Sequence, residues 1–168
     1  MRLVDRIARM LAFALLLVAW TDGDAAEFTA PADDGWHVWQ VQGTAGGDID
    51  GDQLSIYVRI DAGRVTRIRA RTSNCPVTTR TAVNDMGAVS NSASVGWLLR
   101  QVDADSQVAD GALAAISAHA GDDAFVALTA LLEDRDRRQK TREQALFWLA
   151  QSESERAFDY LDALLSSN

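Results

Sequence analysis

The spacing of apolar residues predicts strands in the first half of the chain and helices in the second. In LSIYVRI the apolar positions alternate strictly with polar ones, as in a strand with one buried face; they are Leu54, Ile56, Val58 and Ile60. RVTRIRAR follows a short DAG turn, so the two segments form a hairpin, and Gly63 suits the positive-φ position of a three-residue loop. WHVWQVQ, at 36–42, is rich in aromatic and β-branched residues and predicts another strand. We therefore expect a small antiparallel β-sheet over residues 36–91, after a polar linker at 26–35.

A polar connection separates the predicted sheet from the predicted helices. Residues 72–94 are rich in Ser, Thr and Asn, and indicate a long connection with at most one short strand. VGWLLRQV, which starts at Val95, begins helical structure, and Ser92 or Ser94 is available as its N-cap. The predicted fold class is α+β, with helices over residues 92–168.

The helical half contains an internal repeat with an offset of 33 residues. Residues 112–134 align without a gap to residues 145–167, and eight of the twenty-three pairs are identical. An apolar stripe at i, i+3 and i+7 occurs in both copies, first as Phe125, Leu128 and Leu132 and again as Phe158, Leu161 and Leu165. Because the shared residues are small or apolar, they predict the core of two copies of one helical hairpin, at about 106–134 and 139–167.

The two hairpins resemble HEAT repeats of the short bacterial kind. The second copy matches the pattern of an Arg, an Ala and then spaced Leu residues at Arg142, Ala145, Leu149, Ala157, Leu161, Leu164 and Leu165. The first copy matches at Ala112, Ile116, Ala124, Leu128, Leu131 and Leu132, but has Ala109 in place of the Arg. The chain also resembles bacterial exported HEAT-repeat proteins with a Gly-Arg-Val hairpin, here at 63–65, and a Cys-Pro dipeptide, here at 75–76. The resemblance implies an α-helical solenoid that presents a surface for protein contact and rarely carries catalytic groups.

Two differences between the copies concern the end of the repeat. Asp159 and Asp162 stand three residues apart where the first copy has Val and Thr, which predicts the polar face of a terminal repeat. Phe147 and Trp148 stand where the first copy has alanines. We expect them to seal the hairpin against a neighbouring helix, and anchoring of a protein partner is the alternative. We also expect the sheet, or the helix that starts at Val95, to cover the first copy.

The first residues of the chain resemble a secretory signal peptide. Three arginines precede an eleven-residue apolar run, Met10 to Trp20, which small residues follow. The run is short for a membrane span, so we expect no stable membrane insertion after cleavage. Fifteen of the sixteen basic residues are arginine, a bias usual in GC-rich bacterial genomes. We predict a periplasmic or secreted bacterial protein with a signal peptide at 1–25, cleaved after Ala25 or Ala26; an uncleaved anchor is the alternative.

The charge of the chain is negative and unevenly distributed. The net charge is −8, and from Gln101 onward six basic residues face thirteen acidic ones. This argues against nucleic-acid binding, which needs a basic surface, and favours basic or neutral partners. Arg67, Arg69 and Arg71 nevertheless alternate along one predicted strand and point the same way. This stripe docks a carboxylate-bearing partner, is a solvated strand face, or pairs with the chain's own acidic helices.

The candidates for chemistry are few. Cys75 is the only cysteine, so no intrachain disulfide can form, and neither His37 nor His119 stands in a recognisable spacing with it. We predict a buried or half-buried structural Cys75, with a reactive or intermolecular thiol as the alternative.

A calcium loop is suggested and then contradicted by the same segment. The aspartates of GGDIDGDQ, at 46–53, have the one-three-five spacing of such a loop. Gln53 and Arg59 stand where the loop needs its glycine and its last carboxylate, so we expect a turn and no metal ion. No cofactor is expected either.

Without a catalytic motif, the best interpretation is a non-enzymatic protein-protein interaction module in the bacterial cell envelope. Phe147, Trp148 and the arginine stripe are the candidate contacts. One alternative is an accessory lyase-like factor that uses Cys75, since some HEAT-like proteins attach chromophores. Another is carbohydrate binding through Trp36 and Trp39, although residues three apart in a strand lie on opposite faces.

Overall fold

The structure of the chain is a computed structural model that describes residues 28–43, 53–72, 75, 77–152 and 154–166. Four strands precede five helices: β1 (Gly35–Gln42), β2 (Gln53–Asp61), β3 (Arg64–Thr72), β4 (Val83–Ala88), α1 (Asn91–Leu99), α2 (Ser106–Ser117), α3 (Asp122–Glu133), α4 (Gln139–Gln151) and α5 (Glu155–Ser166). The chain is therefore α+β, as predicted. The predicted signal peptide and most of the Gly/Asp-rich turn lie outside the described residues.

The sheet is mixed, with strand order β3-β2-β1-β4. β2 is antiparallel to both of its neighbours, β1 and β3, but β4 lies parallel to β1 at the other edge. The prediction of an antiparallel sheet is thus wrong for this strand. The segment VNDMGA has no apolar alternation, because an edge strand pairs on one side only and most of its side chains are exposed. The sequence pattern of β4 therefore does not indicate a strand.

The hairpin between β2 and β3 turns in two residues rather than the three expected. Asp61 pairs with Arg64, and the two residues between them, Ala62 and Gly63, have φ of +52° and +68°. Positive φ at both central positions is the type I′ geometry, which matches the twist of the strands. The carboxylate of Asp34 accepts both turn N–H groups, at 3.0 Å from Ala62 N and 2.9 Å from Gly63 N. The turn is therefore held by a side chain from the segment before β1.

One face of the sheet is covered by α1 and α2. The indole of Trp39 packs edge to face on Trp97 of α1, with ring centroids 5.3 Å apart. α2 crosses β3 so closely that a Cβ on Gly111 would lie 2.6 Å from the carbonyl oxygen of Ile68. The expectation that the sheet and the first helix cover the first hairpin is confirmed.

α1 begins earlier than expected. Its N-cap is Ser90, whose hydroxyl accepts the N–H of Ala93 at 3.3 Å. The predicted caps, Ser92 and Ser94, both lie inside the helix. Ser94 is fully buried instead, and its hydroxyl forms hydrogen bonds with Trp39 and His119.

The second hairpin buries less than the first. Leu128 and Leu131 of α3 are buried, whereas α5 buries only Ala157 among its described side chains. Phe158 and Leu165 are 72% and 80% exposed. The prediction that the whole apolar stripe recurs as core is wrong here, because no further described element lies over α5. Asp159 and Asp162 are exposed, as predicted.

Candidate functional site

Aromatic and basic side chains share the face of the sheet that the helices leave open. Side chains alternate along a strand, so the register decides which ones meet on this face. Trp36 is paired with Arg59, Tyr57 with Arg69, and Ser55 with Arg71. The open face therefore carries rings at its centre and guanidinium groups along β3.

A segment of the chain passes over this face. β3 and β4 lie at opposite edges, so the connection between them must cross about 14 Å, which is three strand spacings. Residues 77–81, called here the cover segment, line one side of an open cleft of about 330 Å³, and the sheet lines the other. This sheet cleft is lined by Trp36, Tyr57, Arg59, Arg69, Arg71 and the cover segment, which includes Arg80. Its volume is at the lower end of the range for small-molecule sites, roughly 300–1,000 Å³.

Arg59 is already engaged within the chain. Its Nε lies 2.9 Å from a carboxylate oxygen of Asp61, which also accepts the hydroxyl of Thr66 at 2.7 Å. The hydrogen bond between Arg59 and Asp61 is the largest cause of two pKa shifts. It lowers the pKa of Asp61 and raises the pKa of Arg59. The guanidinium carbon of Arg59 also lies 5.8 Å from the ring centroid of Trp36. Arg59 therefore shapes the cleft, but its charge is neutralised.

The predicted arginine stripe is present and divides in two. Arg69 and Arg71 line the sheet cleft, whereas Arg67, on the same strand and the same face, does not. None of the ion pairs in the described ranges uses any of the three. The alternative that the stripe pairs with the chain's own acidic helices is thus wrong for the described residues.

The proposed pairing of Trp36 with Trp39 is not found. Trp39 is fully buried under α1, while Trp36 is half-buried in the sheet cleft. Tyr57, and not Trp39, lines the sheet cleft together with Trp36. Sequence reasoning missed Tyr57 because the alternation in β2 drew attention to its apolar face, and it missed Arg80 because a polar connection carries no periodicity.

A serine and a histidine meet in the core. His119 Nδ1 lies 2.7 Å from the carbonyl oxygen of Ala115, which can only accept, so Nδ1 carries the proton. Burial lowers the pKa of His119 and keeps the ring neutral, so Nε2 accepts the hydroxyl of Ser94 at 2.9 Å. The same Ser94 oxygen accepts the indole N–H of Trp39 at 2.8 Å. A Ser-His pair can activate a nucleophile, but both side chains are fully buried, so we assign it a structural role.

Cys75 is exposed, which corrects the prediction of a buried thiol. β3 is an edge strand that ends at Thr72, and Cys75 follows in the connection, where its N–H bonds the carbonyl oxygen of Thr72 at 3.0 Å. Neither histidine serves it: His119 is in the core, and His37 Nε2 lies 2.7 Å from the carbonyl oxygen of Asp33. The thiol therefore has no general base from a histidine in the described residues.

The two helical hairpins are joined by a cation and a ring. Arg156 of α5 lies over the ring of Phe125 of α3, 4.5 Å from its centroid, and pairs with Asp122 at 2.7 Å. Tyr160 packs edge to face on the same ring at 5.9 Å, and its hydroxyl donates to Glu133 at 2.8 Å. Burial, with the nearby Glu133, raises the pKa of Tyr160 to about 12. α5 thus covers α3 with one arginine and one aromatic side chain.

The equivalent positions in the second copy of the repeat, 33 residues later, carry a similar acidic and aromatic pair that is left exposed. Asp122 and Phe125 correspond to Glu155 and Phe158, and both of these are exposed. No described residue places a cation or a ring on Phe158, and no described cation pairs with Glu155. α5 therefore repeats the site of Asp122 and Phe125, but no described arginine or aromatic side chain fills the copy.

Phe147 and Trp148 behave differently from each other. Their rings meet edge to face, with centroids 5.3 Å apart. Trp148 is half-buried against the core, in agreement with the expected seal. Phe147 is 55% exposed, so the expected seal is wrong for this residue, which adds apolar surface beside Trp148.

Comparison with known proteins gave no match to a family model, a curated protein or a solved structure. In the ranges that the structure describes, no group of three or more His, Cys, Asp or Glu could hold a metal ion. None of the described helices is both long enough and apolar enough to cross a bilayer.

Proposed function

We propose that this chain is a non-enzymatic protein-interaction module of the bacterial cell envelope, a short HEAT-like scaffold that docks a basic helical partner on α5. The observation that carries the proposal is the exposed pair of Glu155 and Phe158, which copies the site that Arg156 and Tyr160 fill in the first hairpin. The signal-like segment at 1–25 supports the envelope location.

The filled site indicates the chemistry of the missing occupant. Arg156 and Tyr160 are four residues apart, so one helix face delivers both to Phe125. A cation over a ring contributes roughly 0.5–2 kcal/mol, depending on how far it is desolvated. We expect the partner to present the same pair, an arginine and an aromatic residue four positions later on a helix.

Charge and apolar surface agree with such a partner. Asp159 and Asp162 add to the negative charge of α5, so a basic helix is attracted and an acidic one repelled. Leu165 and Phe147 leave further apolar area exposed on α5 and α4. Contiguous apolar surface with a charged rim is typical of protein-binding sites.

Photo-crosslinking from position 158 tests the proposal. A photoreactive phenylalanine analogue replaces Phe158 in the full chain, expressed in its bacterial host, and a second chain carries the analogue at the exposed position Gln139. We expect one crosslinked protein from position 158, with an arginine and an aromatic residue four apart in the crosslinked segment. The Gln139 position should not capture it.

Charge reversal supplies the matched control. Glu155→Arg should abolish the crosslink, whereas Glu143→Arg, a reversal at an exposed position of α4, should leave it. Far-ultraviolet circular dichroism of both variants verifies that the helices persist. A crosslink that survives Glu155→Arg, forms equally from position 139, or joins two copies of this chain contradicts the proposal.

A further inference from the structure

We propose that the sheet cleft is a second binding site, independent of α5, and that it takes an anionic monosaccharide, a sugar ring that bears a carboxylate or a phosphate. The site combines the half-buried rings of Trp36 and Tyr57 with the unpaired guanidinium groups of Arg69 and Arg71. It shares no residue with the α5 surface.

The arginines of the cleft are available to an anion from outside the chain. Arg69 and Arg71 lie two residues apart on one face of β3, about 7 Å along the strand, and Arg80 approaches from the cover segment. The carboxylate of Asp61 is bound to Arg59 and Thr66. No acidic side chain lines the sheet cleft, and none of the ion pairs of the described residues uses Arg69, Arg71 or Arg80.

The cleft gathers positive charge in a chain whose net charge is negative. A protein of net charge −8 repels anions on average, so only a local cluster of cations can hold one. Guanidinium groups bind carboxylate and phosphate through paired N–H donors, which makes either group a suitable ligand. The anion is thus expected at the β3 side of the cleft.

The rings and hydroxyl groups select a sugar over a simple anion. Trp36 and Tyr57 offer apolar ring surface on which the C–H face of a pyranose can lie. Thr78 and Thr81 of the cover segment line the cleft, and their hydroxyl groups can form hydrogen bonds with those of a sugar. The hydroxyl of Thr79 already donates to the carbonyl oxygen of Thr81. A volume of about 330 Å³ admits a single ring rather than a long oligosaccharide.

Nuclear magnetic resonance titration of the full chain tests the site. The probes are glucuronate, glucose 6-phosphate, neutral glucose and acetate, and the signal is the indole N–H of Trp36, assigned with a Trp36→Phe variant. We expect saturable shifts with glucuronate, glucose 6-phosphate or both, and none with glucose or acetate at the same concentration. The tighter of the two anionic sugars identifies the carboxylate or the phosphate as the preferred group.

Three variants on one strand make the test specific. Arg69→Gln and Arg71→Gln should each weaken binding about tenfold, the loss expected for one charge-assisted contact. Arg67→Gln removes an equal charge from the same strand and face, but outside the cleft, and should change affinity less than about twofold. Binding should also weaken as salt is raised.

The outcomes separate this proposal from the docking of a partner on α5. The absence of shifts with both anionic sugars, an equal response to glucose, or an equal loss in Arg67→Gln would overturn the sheet cleft as a sugar-anion site. The crosslinking at position 158 does not depend on any of these residues, so either proposal can fail alone.

Discussion

Ser94 accepts the indole N–H of Trp39, fifty-five residues earlier in the chain, and thereby ties α1 to the middle of the sheet. The same hydroxyl reaches His119, which follows α2. Three elements thus meet at one buried oxygen. In the described residues no buried side-chain nitrogen or oxygen lacks a hydrogen-bond partner, so this polar contact is fully satisfied.

Removal of this hydroxyl should destabilise the fold. Ser94→Ala leaves the buried N–H of Trp39 and Nε2 of His119 without their partner, and an unsatisfied buried group costs roughly 1–3 kcal/mol. Urea denaturation followed by tryptophan fluorescence measures the loss. Ser92→Ala, an exposed position in the same helix, is the control and should change the free energy of unfolding by less than about 0.5 kcal/mol. Equal effects of the two substitutions would refute the role of the network.

Acidification should destabilise the protein through His119. Because burial lowers its pKa, the folded chain binds fewer protons than the unfolded chain at pH values between the folded pKa and about 6.5. The stabilisation is fully present above about pH 6.5 and is lost as the pH falls towards the folded pKa. Urea midpoints measured from pH 8 to pH 5 should therefore decrease.

A histidine variant isolates this contribution from that of the carboxylates. His119→Asn lowers stability at pH 8 but should flatten the dependence between pH 7 and pH 5. A slope that is the same in both proteins would show that His119 does not titrate on unfolding.

Two helical glycines should respond oppositely to alanine. Gly111→Ala places a Cβ 2.6 Å from backbone oxygen of Ile68, so α2 must move off β3, and overpacking of this kind costs roughly 1–3 kcal/mol. Gly96 of α1 has no atom within 4 Å of its added Cβ, so Gly96→Ala should stabilise the chain by up to about 1 kcal/mol. Thermal denaturation of the pair tests the close approach. A stabilised Gly111→Ala would mean that α2 and β3 are not in contact there.

The hairpin turn offers a stabilising substitution. Ala62 holds a φ of +52°, a region that costs an alanine about 1–2 kcal/mol and that asparagine tolerates. Ala62→Asn should therefore raise the free energy of unfolding by about 0.5–1 kcal/mol, since Asn-Gly is the preferred pair for this turn. Gly63→Ala, with the same kind of φ, should lower it. Chemical denaturation distinguishes the two, and a destabilised Ala62→Asn would contradict the two-residue turn.

Local periodicity allowed the regular parts of this fold to be predicted. The alternation of β2 identified a buried strand face, and the offset of 33 residues identified two helical hairpins. The parallel pairing of β4 and the exposure of α5 were missed because both depend on which elements lie beside them, and the pattern within a segment does not record its neighbours. Phe125 and Phe158 occupy the same position of the repeat, yet one is covered by α5 and the other is 72% exposed.

The candidate sites were only partly predictable for a related reason. The alternation of Arg69 and Arg71 was visible, but the division of the stripe at Arg67 follows from the path of the cover segment. Tyr57 joins Trp36 through strand register, which links residues twenty-one positions apart in the chain. The spacing of residues within one segment does not indicate this register.

The irregular edges of the sheet bear on whether a second chain can pair with it. A long, flat strand edge is a template on which a second chain can add, and neither edge here is of that kind. β4 has six residues, its pairing with β1 shifts register between Val38 and Gln40, and Gly87 interrupts it with a φ of +75°. β3 places alternating arginines along its length, so two such edges repel each other. We therefore expect a second copy of this protein to pair poorly with either edge.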